Sequence, residues 1–166
     1  MPDTQANLKT AFAGESQANR KYLAFAQKAD ADGFPEVATL FRAAAEAETI
    51  HAQAHLRHLK AVKATAENLA AAEAGETYEY TEMYPPMVKQ AEEEKSPAAT
   101  TFRYALGAER KHAELYARAR EAVEAGRDLA TEGIYLCPVC GNVLLAPPQG
   151  PCEICNTAAD KFVRIT

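Results

Sequence analysis

The chain has 166 residues, 48% of them hydrophobic and 25% charged, enough for one full core and a small appended module. A net charge of -5 excludes nucleic acid or an anionic membrane as principal partner, because both recruit clustered Lys and Arg. No apolar run reaches the roughly 20 residues that span a bilayer, and the start MPDTQANLKT lacks an apolar signal core, so a soluble cytoplasmic chain is expected.

From about residue 4 to residue 126 the sequence is rich in Ala, Glu, Lys, Leu and Arg, all good helix formers. Breaks at Ala31-Asp32-Gly33-Phe34-Pro35, Lys63-Ala64-Thr65, Lys95-Ser96-Pro97 and Gly126 divide it into four segments. Pro35 and Pro97 suit the first turn of a following helix, where a missing N–H costs nothing. The spacing predicts four helices of roughly 25 to 30 residues, each about 40 Å long at ~1.5 Å per residue. Short connections make neighbours antiparallel, which predicts an all-α, up-down four-helix bundle.

An internal repeat sharpens that expectation. Residues 8–55, slid by 61 positions onto 69–116 without a gap, give 15 identities in 48, including Gly14-Glu15 on Gly75-Glu76, Phe41-Arg42 on Phe102-Arg103 and His51 on His112. Shared Ala-rich composition supplies Ala matches, but not Glu, Phe, Arg and His in register. A duplicated helix pair follows.

Glu48-x-x-His51 and Glu109-x-x-His112 each put a carboxylate and an imidazole on one helix face. Glu15 and Glu76 precede Glu48 and Glu109 by the same 33 residues, near the midpoint of the preceding helix. One Glu from each of two helices and a Glu-x-x-His from each of the other two is the ligand set of di-iron carboxylate bundles. Hard oxygen donors mixed with imidazole suit iron or manganese. A single Glu-x-x-His is more often surface decoration; two copies at equivalent positions point to metal. His55 has Tyr116 as its repeat partner, and His55 and His58 are read as exposed or supporting residues.

After Gly126 the texture changes to Gly, Pro, Cys and short apolar runs. Such a segment is too short for an apolar core of its own. All four cysteines lie here, in Cys137-Pro-Val-Cys140-Gly141 and Cys152-Glu-Ile-Cys155. Two Cys-x-x-Cys turns form a tetrahedral thiolate cage for iron or zinc. Clustered cysteines suit a metal site in a reducing compartment better than a disulfide framework. The division expected is a bundle over residues 1–130 and a four-cysteine module over 131–166.

The bundle pattern followed by paired cysteine knuckles resembles the rubrerythrin family over nearly the whole chain, and the module resembles rubredoxin. The resemblance implies a ferritin-like bundle in which Glu48 and Glu109 bridge two irons and Glu15 and Glu76 are terminal ligands. It implies a further ligand, Glu79, whose repeat counterpart is Ala18, exchanging with His51 as the iron changes oxidation state while His112 stays bound. Glu82 competes with Glu79 on spacing alone. Tyr22 and Tyr84, seven and eight residues after Glu15 and Glu76, match tyrosines that hydrogen-bond near the family's site. In the module, Asn142 stands where rubredoxin-like knuckles often carry an aromatic.

The implied cofactors are two oxo- and carboxylate-bridged irons in the bundle and one iron, alternatively zinc, among the cysteines. The implied activity is reduction of hydrogen peroxide to water in oxidative-stress defence. Electrons would enter through the four-cysteine iron, from rubredoxin or a pyridine-nucleotide-dependent reductase. The alternatives are a ferroxidase handling iron and a zinc-ribbon protein on a degenerate bundle. A module emerging beyond Gly126 is expected some 20 Å from its own chain's bundle site at ~1.5 Å per residue, which predicts a homodimer with electrons crossing between subunits.

Overall fold

A computed structural model describes residues 3–166. The chain divides into two compact units, Met1–Lys63 and Ala64–Thr166.

The first unit is a hairpin of α1 (Thr4–Ala31) and α2 (Pro35–Leu59). Asp3 caps α1 by accepting from Ala6 N at 2.8 Å, a contact of the kind that contributes about 1 kcal/mol. The turn closes where Gly33 takes φ 84° and Phe34 N donates to Ala29 O at 2.9 Å, after which Pro35 starts α2. Ala26, Ala29 and Ala38 are buried between the helices with Phe41 against them. Their small side chains let the two backbones approach closely.

In the second unit α3 (Thr65–Tyr78) runs through a π-helical turn, Glu79–Met83, into α4 (Tyr84–Glu93), and α5 (Ala98–Glu124) packs back along both. Pro85 and Pro86 cannot close ordinary helical hydrogen bonds, and the wider π turn carries the helix across that point.

The π turn inserts one residue relative to the first repeat, and the ungapped alignment needs correcting for it. Asp30 Oδ2 pairs with Arg42 Nη1 at 2.8 Å, and Glu92 Oε1 pairs with Arg103 Nη1 at 2.6 Å. Thr39 accepts from Arg42 and Thr100 from Arg103, each at 3.3 Å. Arg42 and Arg103 are 61 apart, but Asp30 and Glu92 are 62 apart, as are the buried Ala29 and Ala91. The extra residue enters at the π turn and is removed before α5.

Beyond α5 the chain turns at Gly126 (φ 70°). Residues 127–133 then run back beside the helix, with Leu129 and Ile134 facing Leu115 and Ala119 across an apolar cavity of about 370 Å³. Extended chain advances ~3.3 Å per residue against ~1.5 Å in a helix. A short return therefore spans more than three helical turns, and the module docks midway along α5.

The module is a three-stranded antiparallel sheet in the order β2-β1-β3, from β1 (Ile134–Leu136), β2 (Val143–Leu144) and β3 (Val163–Ile165). Gly107 on α5 admits Ile154: a Cβ there would lie 3.1 Å from Ile154 Cγ2. Tyr104 of α5 packs against the buried cysteines. The 20 Å separation expected from the sequence is thus corrected, because the return strand brings the module to the level of Ala108, whose Cβ lies 3.9 Å from the site of a Gly141 Cβ.

Candidate metal centres

In each Cys-x-x-Cys knuckle, helix-like turning directs backbone N–H groups toward the sulfurs. Cys137 N donates to Asn142 O at 2.8 Å and Gly141 N to Cys137 O at 3.0 Å; Cys152 N to Thr157 O and Asn156 N to Cys152 O repeat the pattern at 2.8 Å. The left-handed position needed in each turn is filled by Gly141 (φ 82°) and Asn156 (φ 60°). The four cysteines are free thiols. Sγ atoms of Cys137 and Cys155, and of Cys140 and Cys152, lie 3.5 Å apart, close to the ~3.8 Å edge of a tetrahedron with 2.3 Å arms. The cage fits one tetrahedral ion.

Burial pushes the Cys137 thiol up, but the N–H groups of Cys140 and Val139 and hydrogen bonds with Cys155 and Cys140 outweigh it and bring the thiol down to about 6. Burial raises Cys140, in spite of a backbone hydrogen bond from Asn142. A bound cation would stabilise all four as thiolates.

In the hairpin, Glu15, Glu48 and His51 present ligand atoms within 4.8 Å of one another, and Glu76, Glu109 and His112 do the same in the second unit. Both are built from one helix midpoint and one Glu-x-x-His. His51 Nδ1 lies 3.1 Å from Glu48 Oε2, and His112 Nδ1 lies 2.7 Å from Glu109 Oε2 and 3.7 Å from Glu76 Oε1. A hydrogen bond between Glu15 and Glu48 raises the first carboxyl and lowers the second. Burial, then the Glu109 charge, raises Glu76. Crowded carboxylates repel one another and are relieved by divalent cations, and the donor set suits iron.

His112 carries a contact that His51 lacks. Its Nε2 lies 2.9 Å from Gly141 O, the carbonyl inside the first cysteine knuckle. A carbonyl only accepts, so Nε2 donates to it, and Nδ1 is the ring nitrogen that faces Glu76 and Glu109. Sequence reasoning missed this contact because a backbone carbonyl leaves no mark in residue identity.

Glu79 in the π turn is half-buried, and burial, then the Glu76 charge, raises its carboxyl. It lies beside the second triad without joining the 4.8 Å cluster. Glu82 is exposed, on an open groove with Glu73, Tyr78 and Arg120. Tyr84 is raised by burial and then by Glu109, Glu79 and Glu76, which keeps its phenol protonated beside the triad; its ring is 6.3 Å from Phe102. Tyr22 packs with Phe25 and Phe41 at 6.3 and 6.2 Å. His55 is half-buried and its charge reaches Glu15, whereas His58 is exposed. Among the described residues no helix is long and apolar enough to cross a membrane.

Comparison with known proteins bears on these clusters. The rubrerythrin family model matches residues 6–120. Rubrerythrin-2 of Clostridium acetobutylicum is 36% identical over 170 residues, covering 93% of this chain and 92% of that protein. Nigerythrin of Nitratidesulfovibrio vulgaris is 36% identical over 174 residues, covering 96% and 85%. A solved structure of fully reduced, all-ferrous nigerythrin matches 99% of this chain and 88% of its own, with TM-score 0.57 and 32% identity. With a ferritin-like helical scaffold, a rubredoxin-like knuckle pair and carboxylate–histidine clusters suited to iron, the chain belongs to the rubrerythrin family of iron-binding oxidoreductases.

Proposed function

We propose that this protein is a non-haem di-iron peroxidase that reduces hydrogen peroxide to water in the cytoplasm, as part of oxidative-stress defence. Two irons would be held by Glu15, Glu48, His51, Glu76, Glu79, Glu109 and His112, with Glu48 and Glu109 bridging, and a third by Cys137, Cys140, Cys152 and Cys155. When bound, the irons supply the electrons that reduce peroxide. The bundle over 1–130 and the module over 131–166 divide this labour between chemistry and electron entry, with rubredoxin or a pyridine-nucleotide-dependent reductase as donor.

The observation that carries this reading is the 2.9 Å contact between His112 Nε2 and Gly141 O. It joins a ligand of one cluster to the backbone of the other within a single chain, an arrangement with a use in electron delivery and none in iron storage. A histidine so held keeps its tautomer and orientation. Tyr84, kept protonated beside the carboxylates, would be a hydrogen-bond donor for peroxide. His51 is 55% exposed, and Glu79 is half-buried; these are the two side chains suited to alternate as ligand. Self-association is supported by exposed apolar side chains along the hairpin: Phe25 at 47%, Leu40 at 68% and Ile50 at 59%. A homodimer covering them is the working unit.

Anaerobic stopped-flow of the reduced protein tests the activity. Hydrogen peroxide is expected to oxidise it at least about tenfold faster than oxygen does, a barrier difference of ~1.4 kcal/mol. Equal rates with both oxidants would remove the peroxidase assignment in favour of iron handling.

A further inference from the structure

Asn142 is the one buried polar side chain among the described residues, 1% exposed. It touches both knuckles. Its carbonyl accepts from Cys137 N at 2.8 Å, its backbone N–H donates to the Cys140 sulfur, and its side-chain Nδ2 donates across the cage to Cys152 Sγ at 3.7 Å. Its Oδ1 has no hydrogen-bond partner among the described residues.

An orphaned buried oxygen is costly, and an apolar residue of the same size would avoid it. The amide is therefore retained for its other end. A metal-bound thiolate only accepts, so the N–H must face the sulfur, and the oxygen is left turned away. The second knuckle has an equivalent: Thr157, like Asn142 five residues after the first cysteine of its pair, places Oγ1 3.0 Å from Cys155 Sγ. That cysteine is only half-buried, so water competes there. Cys152 is 2% exposed, and at low local dielectric its single side-chain donor acts with less screening.

A four-thiolate iron carries one more negative charge when ferrous than when ferric. A donor to sulfur stabilises the more negative form, favouring gain of one electron with no bond broken and no proton moved. We propose that Asn142 is a positioning residue that raises the reduction potential of the four-cysteine iron through its amide donation to the Cys152 thiolate. This rests on the iron reading given above, and it concerns how readily that site takes up an electron.

The test is spectroelectrochemical titration of the visible thiolate-to-iron band in the full-length iron-loaded protein, comparing wild type with Asn142→Leu and Asn142→Ala. Both variants should retain iron and show a lower potential. A tenfold shift of the reduction equilibrium, about 59 mV for one electron, is expected for the leucine variant. The alanine variant should fall less, because water can enter the space it vacates. A residue that merely supports the fold would alter iron retention or thermal unfolding and leave the potential where it was. Iron-loaded variants with the wild-type potential would overturn the inference. If the leucine variant cannot load iron, the alanine variant decides on the same criterion. A wild-type protein that is colourless when metal-loaded from cells would sink the iron reading instead, and this inference with it.

Discussion

Glu15, Glu48 and His51 on the hairpin and Glu76, Glu109 and His112 in the second unit are the same three side chains at the same helical spacing, yet they are held differently. His51 is 55% exposed, and its ring nitrogen Nδ1 lies 3.1 Å from the Glu48 carboxylate. His112 is 21% exposed and held from both ring nitrogens, by Glu109 and by the Gly141 carbonyl. The second repeat is also one residue longer at the π turn, which puts Glu79 at the flank of the triad. The repeat thus presents two like triads, and two local features, a π turn and a docked module, make them unequal. In the di-iron centre proposed above, a held His112 and a free His51 would suit ligand exchange at His51.

Removing either carboxylate proposed to bridge the irons should have the largest effect and should ignore that asymmetry. Glu48→Ala and Glu109→Ala should each lose bundle iron and lower peroxidase turnover by about a hundredfold or more, since even supporting residues around metal ligands contribute ten- to hundredfold. Two irons and full turnover in either variant would break the bridging assignment.

The histidines should separate the triads. His112→Gln removes a proposed ligand together with the imidazole contact to the Gly141 carbonyl, so donor-linked turnover should fall about a hundredfold, against about tenfold for His51→Gln. Equal losses would mean that the Gly141 contact has no role in function.

The smallest effect concerns protons in the metal-free protein. Glu76 and Glu79 are raised above the ordinary value of 4.5, so the stability tied to their neutral forms is fully present below that value. It is lost as pH rises through their folded-state values. In the hairpin, Glu15 is raised while Glu48 is lowered, and their contributions oppose. Denaturant midpoints from pH 4 to 7 should therefore decline with pH in the metal-free chain, and Glu76→Gln should flatten that decline more than Glu15→Gln. Metal loading should abolish it.

The helices, their breaks and both ligand triads were legible in the sequence, because helical periodicity and metal-ligand chemistry are both written in residue identity. The π turn was half legible. Between residues 16 and 37 the ungapped repeat matches only at Lys28, and Tyr22 and Tyr84 stand seven and eight residues after their glutamates. Both are marks of a one-residue insertion, hidden because it is cancelled before α5. The docking of the module was not legible. It depends on the return path after Gly126 and on the missing side chain at Gly107 that admits Ile154, and neither has a signature separable from ordinary loop composition. Asn142 was visible as a departure from the aromatic expected there, but its donation to Cys152 required knowing where the second knuckle lies.

Electron entry within one chain, from the cysteine module to the triad its own α5 carries, is tested most directly by chain mixing. Cys137→Ser chains, unable to hold the thiolate iron, would be combined with Glu109→Ala chains, and hetero-oligomers isolated through different affinity tags. Because His112 and Gly141 belong to one chain, every intact Glu76–Glu109–His112 triad would then sit beside a damaged module, and donor-linked peroxidase activity should stay at the level of the separate variants. Recovery to a substantial fraction of wild-type turnover in the isolated hetero-oligomers would show that electrons cross between subunits, contradicting the within-chain route.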